Sequence, residues 1–394
     1  MKVTTSCSGR FHIYDQARQL SRFGALHYLV SDYPKSITRR WNIPDDKAIA
    51  LVMNGVLGRL ARHLPAWTGP QVRAGVYKQL HNMFSRRLAR HVPPDADVFI
   101  GLSSFCLEAL QEAREFNQLA IVDHGSFHQR VERELLQEEQ RLHGVNAAAE
   151  LAHDWIIEKE DAEFHLADHV FVLSQAAKHS LTLQGISSAK IFVNPCGVDL
   201  SSFKPLPRPD AVFRVVYCGN LSARKGVHYL LQAFTELQLP NTELLLIGSA
   251  PSPAYEKLIG RFRTSSVRFL GSFPQHELSR LYAQGSVFVL PSIADGFGMV
   301  VPQAMACGLP AIVTHNVGAA DIISDGVDGY VVPIRDVAAL KLRLRRLYEQ
   351  PLLREQMASA ARHKVAGLSW DAYGERLVTE LKSYLAPTLK RKNA

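Results

Sequence analysis

The stretch from Leu290 to Thr314, LPSIADGFGMVVPQAMACGLPAIVT, constrains the fold more tightly than any other part of this chain. An apolar run, Val287-Phe288-Val289-Leu290, stops at Pro291-Ser292 and leads into the turn Asp295-Gly296-Phe297-Gly298. Small and apolar residues through Cys307 then read as a short helix, Gly308-Leu309-Pro310 breaks it, and Ala311-Ile312-Val313-Thr314 reads as a second strand. Strand, glycine turn, helix and strand make a parallel βαβ unit, and such sheets gather ligands beyond the carboxyl ends of their strands. Gly296 and Gly298 would let the backbone pass close to a ligand. The free N–H groups of the first helical turn, with the positive end of its dipole, suit a phosphate. Pro302 fits such a helix only near its start, where its missing N–H costs little.

A chain of 394 residues exceeds one ordinary core, so two domains of about 200 residues each are the default. The first half alternates short strands with helices. Lys2-Val3-Thr4 reads as an edge strand, Ser6-Cys7-Ser8-Gly9 as a polar turn, and Phe11, Tyr14, Ala17 and Leu20 mark one face of a helix. Ala25 to Val30, Asp97 to Gly101, Leu119 to Val122, His169 to Leu173 and Ile191 to Asn194 read as further strands, with two long charged helices between Arg130 and Leu166. Proline-rich Pro205-Leu206-Pro207-Arg208-Pro209 marks a linker, after which a second alternation begins. The whole chain is therefore expected to be α/β, with a first domain over residues 1–204, a second over 205–369, and a helix with a basic tail over 370–394.

No apolar run reaches transmembrane length, and MKVTTSCSGR lacks the apolar region of a signal peptide. Cys7, Cys106, Cys196, Cys218 and Cys307 are odd in number and form no C-x-x-C pair, as expected of reduced thiols in a cytoplasm, and no metal constellation stands out. The net charge of +8 is uneven: between Asp46 and Asp95 there is no acidic residue, while Lys47, Arg59, Arg62, Arg73, Lys78, Arg86, Arg87 and Arg90 fall in that window. Val56, Leu57, Leu60, Leu64, Trp67, Val76, Tyr77, Leu80, Met83, Phe84 and Leu88 are interleaved at helical spacing. Residues 47–94 thus read either as a peripheral contact to an anionic membrane or acidic acceptor, or as a solvated positive face packed on the core. No nucleic-acid motif accompanies the charge, so nucleic acid is not an expected partner.

The second half opens informatively. The strand Val215-Val216-Tyr217-Cys218 is followed by Gly219-Asn220-Leu221-Ser222-Ala223-Arg224-Lys225-Gly226 and then a helix. Two cations at a helix N-terminus oppose its dipole unless an anion lies between them, which points to a phosphate, the alternative being a solvent-exposed pair in a tolerant loop. In a doubly wound sheet Lys225 and the turn from Gly296 to Met299 project beyond one edge, so both can grip one diphosphate, with Gly248-Ser249 and Gly271-Ser272 along the same rim.

With these features in order, the chain resembles the family-4 retaining glycosyltransferases of GT-B fold (glycosyl transferases group 1), built from two Rossmann-like doubly wound domains facing each other across a cleft. The resemblance is carried by Asn194-Pro195-Cys196-Gly197-Val198-Asp199, by the Gly-x(5)-Lys-Gly turn ending at Lys225-Gly226, by the Gly-Phe-Gly turn with Ala304-Met305-Ala306-Cys307-Gly308-Leu309-Pro310, and by Gly318 with Asp325-Gly326-Val327-Asp328-Gly329. It implies that Lys225 and the backbone of Phe297, Gly298, Met299 and Val300 hold the diphosphate of a nucleotide sugar. The family's E-x7-E pair falls on Asp295 and Gln303, which would meet the donor sugar and the ribose hydroxyls, Gln303 through its amide oxygen. A family arginine is Asn220 here, and Arg224 is the candidate to replace it. His124, within His-Gly-Ser after a strand, sits where the family places a histidine near the transferred sugar; the alternative is a satisfied structural side chain. Ser8-Gly9 would approach the diphosphate from the facing domain, and Ser126 is a looser candidate that would simply cap the following helix. Asp95-Ala96-Asp97 imitates a metal-binding D-x-D but reads as a strand-entry turn, the family needing no metal or other cofactor beside its donor.

The expected activity is metal-independent transfer of a hexose, with retention, to a saccharide or lipid-linked saccharide in lipopolysaccharide or polysaccharide synthesis. Lys225 and Arg224 would stabilise the leaving group while Asp295 and His124 orient the sugar. The expected location is cytoplasmic, peripheral at the inner membrane face. Two rivals remain: a nucleotide-sugar epimerase of the same fold, and a weakened nucleotide-sugar-binding protein in which Asn220, Asp295 and Gln303 mark the loss.

Overall fold

A computed structural model describes residues 1–64, 68–144 and 150–392. The first half builds β1 (Val3–Cys7), β2 (Leu26–Ser31), β3 (Ala48–Ala50), β4 (Val98–Leu102), β5 (Leu119–His124), β6 (His169–Val172) and β7 (Ile191–Val193). The second builds β8 (Phe213–Cys218), β9 (Thr242–Ile247), β10 (Val267–Gly271), β11 (Val287–Leu290), β12 (Ala311–Thr314) and β13 (Gly329–Val332). The sheets run β3-β2-β1-β4-β5-β6-β7 and β10-β9-β8-β11-β12-β13. All pairings are parallel, so every connection is a crossover and helices cover both faces. In each sheet the order reverses beside the first strand, at β1/β4 and at β8/β11, which opens a crevice at the carboxyl ends of those strands.

β1 lies inside its sheet, between β2 and β4, not at the edge expected for Lys2-Val3-Thr4. All five of its residues are buried. β-branched threonine packs well on a pleated surface, and the hydroxyl of Thr5 donates to Oε1 of Gln16 at 2.9 Å, which makes burial affordable. Ser6 and Cys7, read as turn, belong to this strand. β3, only three residues long, carries too little alternation to be found by pattern.

The helix Trp370–Lys392 leaves the second half and packs on the helix Ile13–Arg22, adding Trp370, Tyr373, Leu377 and Leu381 to the core around β1. The segment Asn194 to Asp199 receives it: the Asn194 side-chain amide donates to the carbonyl of Tyr373 at 3.3 Å, and Arg376 donates to Asn194 at 2.9 Å.

The basic window forms the helices Val52–Arg62 and Pro70–Ala89. Its apolar residues divide: Phe84 and Leu88 are buried, whereas Met53, Leu60 and Val72 are 57%, 62% and 60% exposed beside the arginines. Trp67 lies outside the described residues. All five cysteines are buried and unpaired. Among the described residues no helix is long and apolar enough to cross a membrane.

Candidate functional site

The crevices of the two sheets face each other and enclose a cleft of about 710 Å³. From the second half, Gly219, Lys225, Asp295, Phe297, Gly298, Met299, Val300 and Gln303 line it; from the first, Arg10, Phe11, His12, Trp41 and Gly125 do so. The turns after β8 and β11 interlock. Gly226 takes a left-handed φ of +62°, and a Cβ there would fall 2.1 Å from the carbonyl oxygen of Pro291, so a glycine is required for the two turns to touch. Ile293 donates to the carbonyl of Arg224 at 2.8 Å, which ties them further.

The result is a Lys225–Asp295 ion pair at the cleft floor, with side chains only 13% and 12% exposed. Burial, helped by the Arg224 cation, lowers the pKa of the Lys225 ammonium against the pull of Asp295. For Asp295 burial works the other way, but the cations of Lys225 and Arg224 outweigh it and hold the carboxyl below its ordinary range. Beside the pair, no backbone carbonyl accepts from the N–H groups of Gly298, Met299 or Val300 among the described residues. Gln303 is buried with its Oε1 unpartnered, an acceptor left open in the cleft wall.

Several expected residues do other work. The N–H groups of Ala223 and Arg224 both donate to the Glu150 carboxylate at 3.1 Å, while the Arg224 guanidinium donates to the carbonyl of Ala294 at 3.0 Å and lies 3.8 Å from Glu132. The anions that answer the two misplaced cations are thus carboxylates, Glu132, Glu150 and Asp295, and Arg224 braces the turn without lining the cleft. Asn220 turns its side chain to the Ser249 hydroxyl at 3.0 Å. Gly248 lies so close under the carbonyl of Gly219 that a Cβ would come within 1.7 Å of it; it supports the rim and does not line it. Gly296 does not line the cleft: its backbone abuts Gly125 and Ser126 of the facing half, and its carbonyl accepts from the Ser174 hydroxyl at 2.8 Å. Gly9 donates its N–H to Asp32 at 2.9 Å and faces a neighbouring cavity, as Ser8 does. Ser126 donates to Glu132 at 3.0 Å, and the cap it was offered for is supplied by the His128 ring, which accepts from the Arg130 N–H at 3.1 Å. Asp95 and Asp97 bind Lys2 at the entry to the sheet.

His124 is 1% exposed and does not reach the cleft. One ring nitrogen lies 3.0 Å from the carbonyl of Phe127, to which it must donate, and the other 2.8 Å from the Ser103 hydroxyl, which leaves no ring nitrogen for a sugar. Burial pushes its pKa down to about 4. The satisfied structural side chain is what the structure contains.

In its place the first half presents His12, whose Nε2 lies 2.7 Å from Asp123. Burial opposes a charged ring, yet the Asp123 carboxylate outweighs it and the pKa of His12 ends above its ordinary value. Gln16 fixes that carboxylate, donating to it at 2.7 Å. His12 follows the carboxyl end of β1 at the switch point, a position from which topology alone could have singled it out. A second cluster missed by sequence, Glu139, His143 and His228, brings possible metal-ligating atoms within 4.8 Å of one another, although residues 139 and 228 lie in different halves. Tyr229 donates to Glu139 at 3.0 Å and lies 2.8 Å from His143, and Arg335 of the second half pairs with both Glu138 and Glu139.

Residues 199–364 match the family described as glycosyl transferases group 1. The chain carries a group 1 glycosyltransferase domain. That domain contains both turns at the cleft floor. Among curated proteins, the chain is 28% identical over 231 residues to D-inositol 3-phosphate glycosyltransferase of Frankia alni, covering 53% of this chain and 57% of that one. It is 31% identical over 214 residues to GDP-mannose-dependent monoacylated alpha-(1-6)-phosphatidylinositol monomannoside mannosyltransferase of Corynebacterium glutamicum, covering 48% and 55%. The chain thus spans a little over half the length of the curated relatives it matches. Among solved structures, sucrose-phosphate synthase from Thermosynechococcus elongatus superposes with a TM-score of 0.71 at 20% identity, covering 98% of this chain and 100% of that one. HepE of Anabaena, solved with UDP and glucose, gives 0.68 at 16% identity, covering 97% and 100%. The group 1 domain therefore sits within a GT-B fold.

Proposed function

We propose that the chain is a family-4 retaining, metal-independent glycosyltransferase that moves a hexose from a nucleotide-diphosphate sugar to a saccharide or lipid-linked saccharide acceptor. The observation that carries the reading is the Lys225–Asp295 pair beside the open N–H groups of Gly298, Met299 and Val300, on the floor of a cleft between two switch points. Breaking a sugar–phosphate bond builds negative charge on the diphosphate, and a fixed cation with oriented N–H dipoles meets that charge without reorganising. Lys225 would pass from Asp295 to the diphosphate or bridge the two. Asp295, already held by a cation, is suited to orienting sugar hydroxyls, and Gln303 has an unfilled acceptor for a ribose hydroxyl. His12 replaces His124 as the first-half residue facing the donor sugar.

The acceptor reading draws on relatives named for phosphoinositide and colanic acid substrates, the latter the putative enzyme WcaL of Salmonella typhimurium. Such an acceptor would belong to cell-surface polysaccharide or lipopolysaccharide synthesis. The exposed Met53, Leu60 and Val72 among arginines support a peripheral contact with an anionic cytoplasmic membrane face. Release of nucleoside diphosphate from a panel of nucleotide sugars, with and without acceptor, tests the proposal. Wild type is expected to release it in an acceptor-dependent manner, and Lys225→Ala to lose about 10²- to 10³-fold of that turnover with its fold intact. Turnover unchanged in Lys225→Ala would reject the site; rearranged donor without release would identify an epimerase.

A further inference from the structure

Beside the cleft lies a second cavity of about 320 Å³, walled by the turns after β1 and β2 and by the helices Val52–Arg62 and Pro70–Ala89. Arg10 and Phe11 line both spaces, so the two adjoin. Three arginines converge on it, Arg10, Arg59 and Arg62, and none of them has a carboxylate partner among the described residues. The single acid in its wall, Asp32, already accepts from the Ser8 hydroxyl at 3.1 Å and the Gly9 N–H at 2.9 Å. Two of the guanidinium groups lie over aromatic rings, Arg10 over Trp41 at 5.3 Å and Arg59 over Tyr33 at 5.5 Å. Stacking of that kind holds a guanidinium by its face and leaves its N–H edge for an anion.

A second observation is independent of charge. Asn54, 6% exposed, lines the same cavity. Its Oδ1 accepts from Arg87 at 3.1 Å, which fixes the amide's orientation, and its Nδ2 is buried without any partner. A buried donor left open costs free energy that a bound acceptor atom would recover. A merely solvated basic face would turn its cations outward and would have no use for such a donor.

We infer that this cavity holds an anionic substituent, phosphoryl or carboxylate, of the acceptor saccharide. The inference rests on the transferase reading above and gives its acceptor a chemical class. The anion sits among Arg10, Arg59, Arg62 and the Asn54 amide, Phe11 and Tyr33 offer faces for sugar rings, and the shared Arg10–Phe11 wall puts the rest of the acceptor beside the donor cleft.

Isothermal titration with glucose 6-phosphate, glucuronate and glucose, each with saturating nucleoside diphosphate in the cleft, tests this on wild type and on the Arg59→Gln, Arg62→Gln double variant. At least one charged sugar should bind wild type about tenfold or more tightly than glucose, and the double variant should lose that advantage. Nucleoside diphosphate affinity should stay within about threefold in the variant, which also reports its folding. Preference for glucose 6-phosphate assigns a phosphoryl group, and preference for glucuronate a carboxylate. Equal binding of charged and neutral sugars by wild type, or an advantage undiminished in the double variant, would overturn the inference. Failure of every nucleoside diphosphate to bind would strike the donor reading instead, and the charged sugars titrated alone would still decide the cavity.

Discussion

Replacing Gly296 with alanine should separate catalysis from stability. The added Cβ would lie 2.1 Å from the carbonyl oxygen of Gly125 and 2.7 Å from the Cα of Ser126, both backbone atoms of the facing half. The turn cannot withdraw, because Gly318 packs on its other side so closely that a Cβ there would meet the Gly296 carbonyl at 2.2 Å, and Ser174 holds that carbonyl at 2.8 Å. The two halves must therefore part by roughly 1 Å at this seam, a strain of about 1–3 kcal/mol if it were absorbed locally. A misplacement of that size between donor and acceptor groups lowers turnover by about a hundredfold. Steady-state kcat/KM, nucleoside diphosphate affinity and the calorimetric Tm would be measured on the same preparation. The expected result is a fall of about a hundredfold in kcat/KM, affinity within about threefold because Lys225 and the glycine turn belong to one half, and a Tm lowered by only a few degrees. A kcat/KM within about threefold of wild type would refute the claim that contact between these two backbones sets the reactive geometry.

Other perturbations bear on the remaining assignments. Asp295→Asn removes an anion from beside the diphosphate position, so nucleoside diphosphate should bind at least as tightly while transfer falls; calorimetry and turnover together check both. His124→Asn should leave nucleoside diphosphate binding intact and change the pH profile of stability. With its pKa pushed from 6.5 down to about 4, His124 gives support that is present above pH 6.5 and lost as pH falls toward 4, worth about 3 kcal/mol, so the variant's unfolding midpoint should fall less steeply across that window. Flotation with anionic liposomes should retain the wild type and release a Met53→Asp, Leu60→Asp variant, whereas equal flotation with neutral lipid would favour the solvated-face reading.

The parallel α/β architecture and the turns at Lys225 and Asp295 were legible because both signals are local. Apolar runs of β-branched residues end at glycines, and a lysine and an aspartate follow at fixed offsets. What escaped depends on partners far away in sequence. Arg224 and Lys225 looked like cations waiting for a phosphate because Glu132, Glu150 and Asp295 are brought to them only by tertiary folding. Gly296 looked like a ligand-facing glycine because its contact with Gly125 crosses between the halves. His124 ends a strand of the first sheet and His12 lies beyond the end of another, and sequence could not tell which ring turns inward; the Phe127 carbonyl and Ser103 hydroxyl decide it for one, and Asp123 for the other.

The helix Trp370–Lys392 has a bearing on how the protein is made. Its Trp370, Tyr373, Leu377 and Leu381 complete an apolar core whose other members begin at Val3. On the ribosome, the strands around Val3 would therefore wait with an uncovered face until Trp370–Lys392 emerged, while the intervening half could already condense by itself. Chains stopped short of Trp370 should consequently fail in the half that holds Val3, with the uncovered apolar face left prone to aggregation.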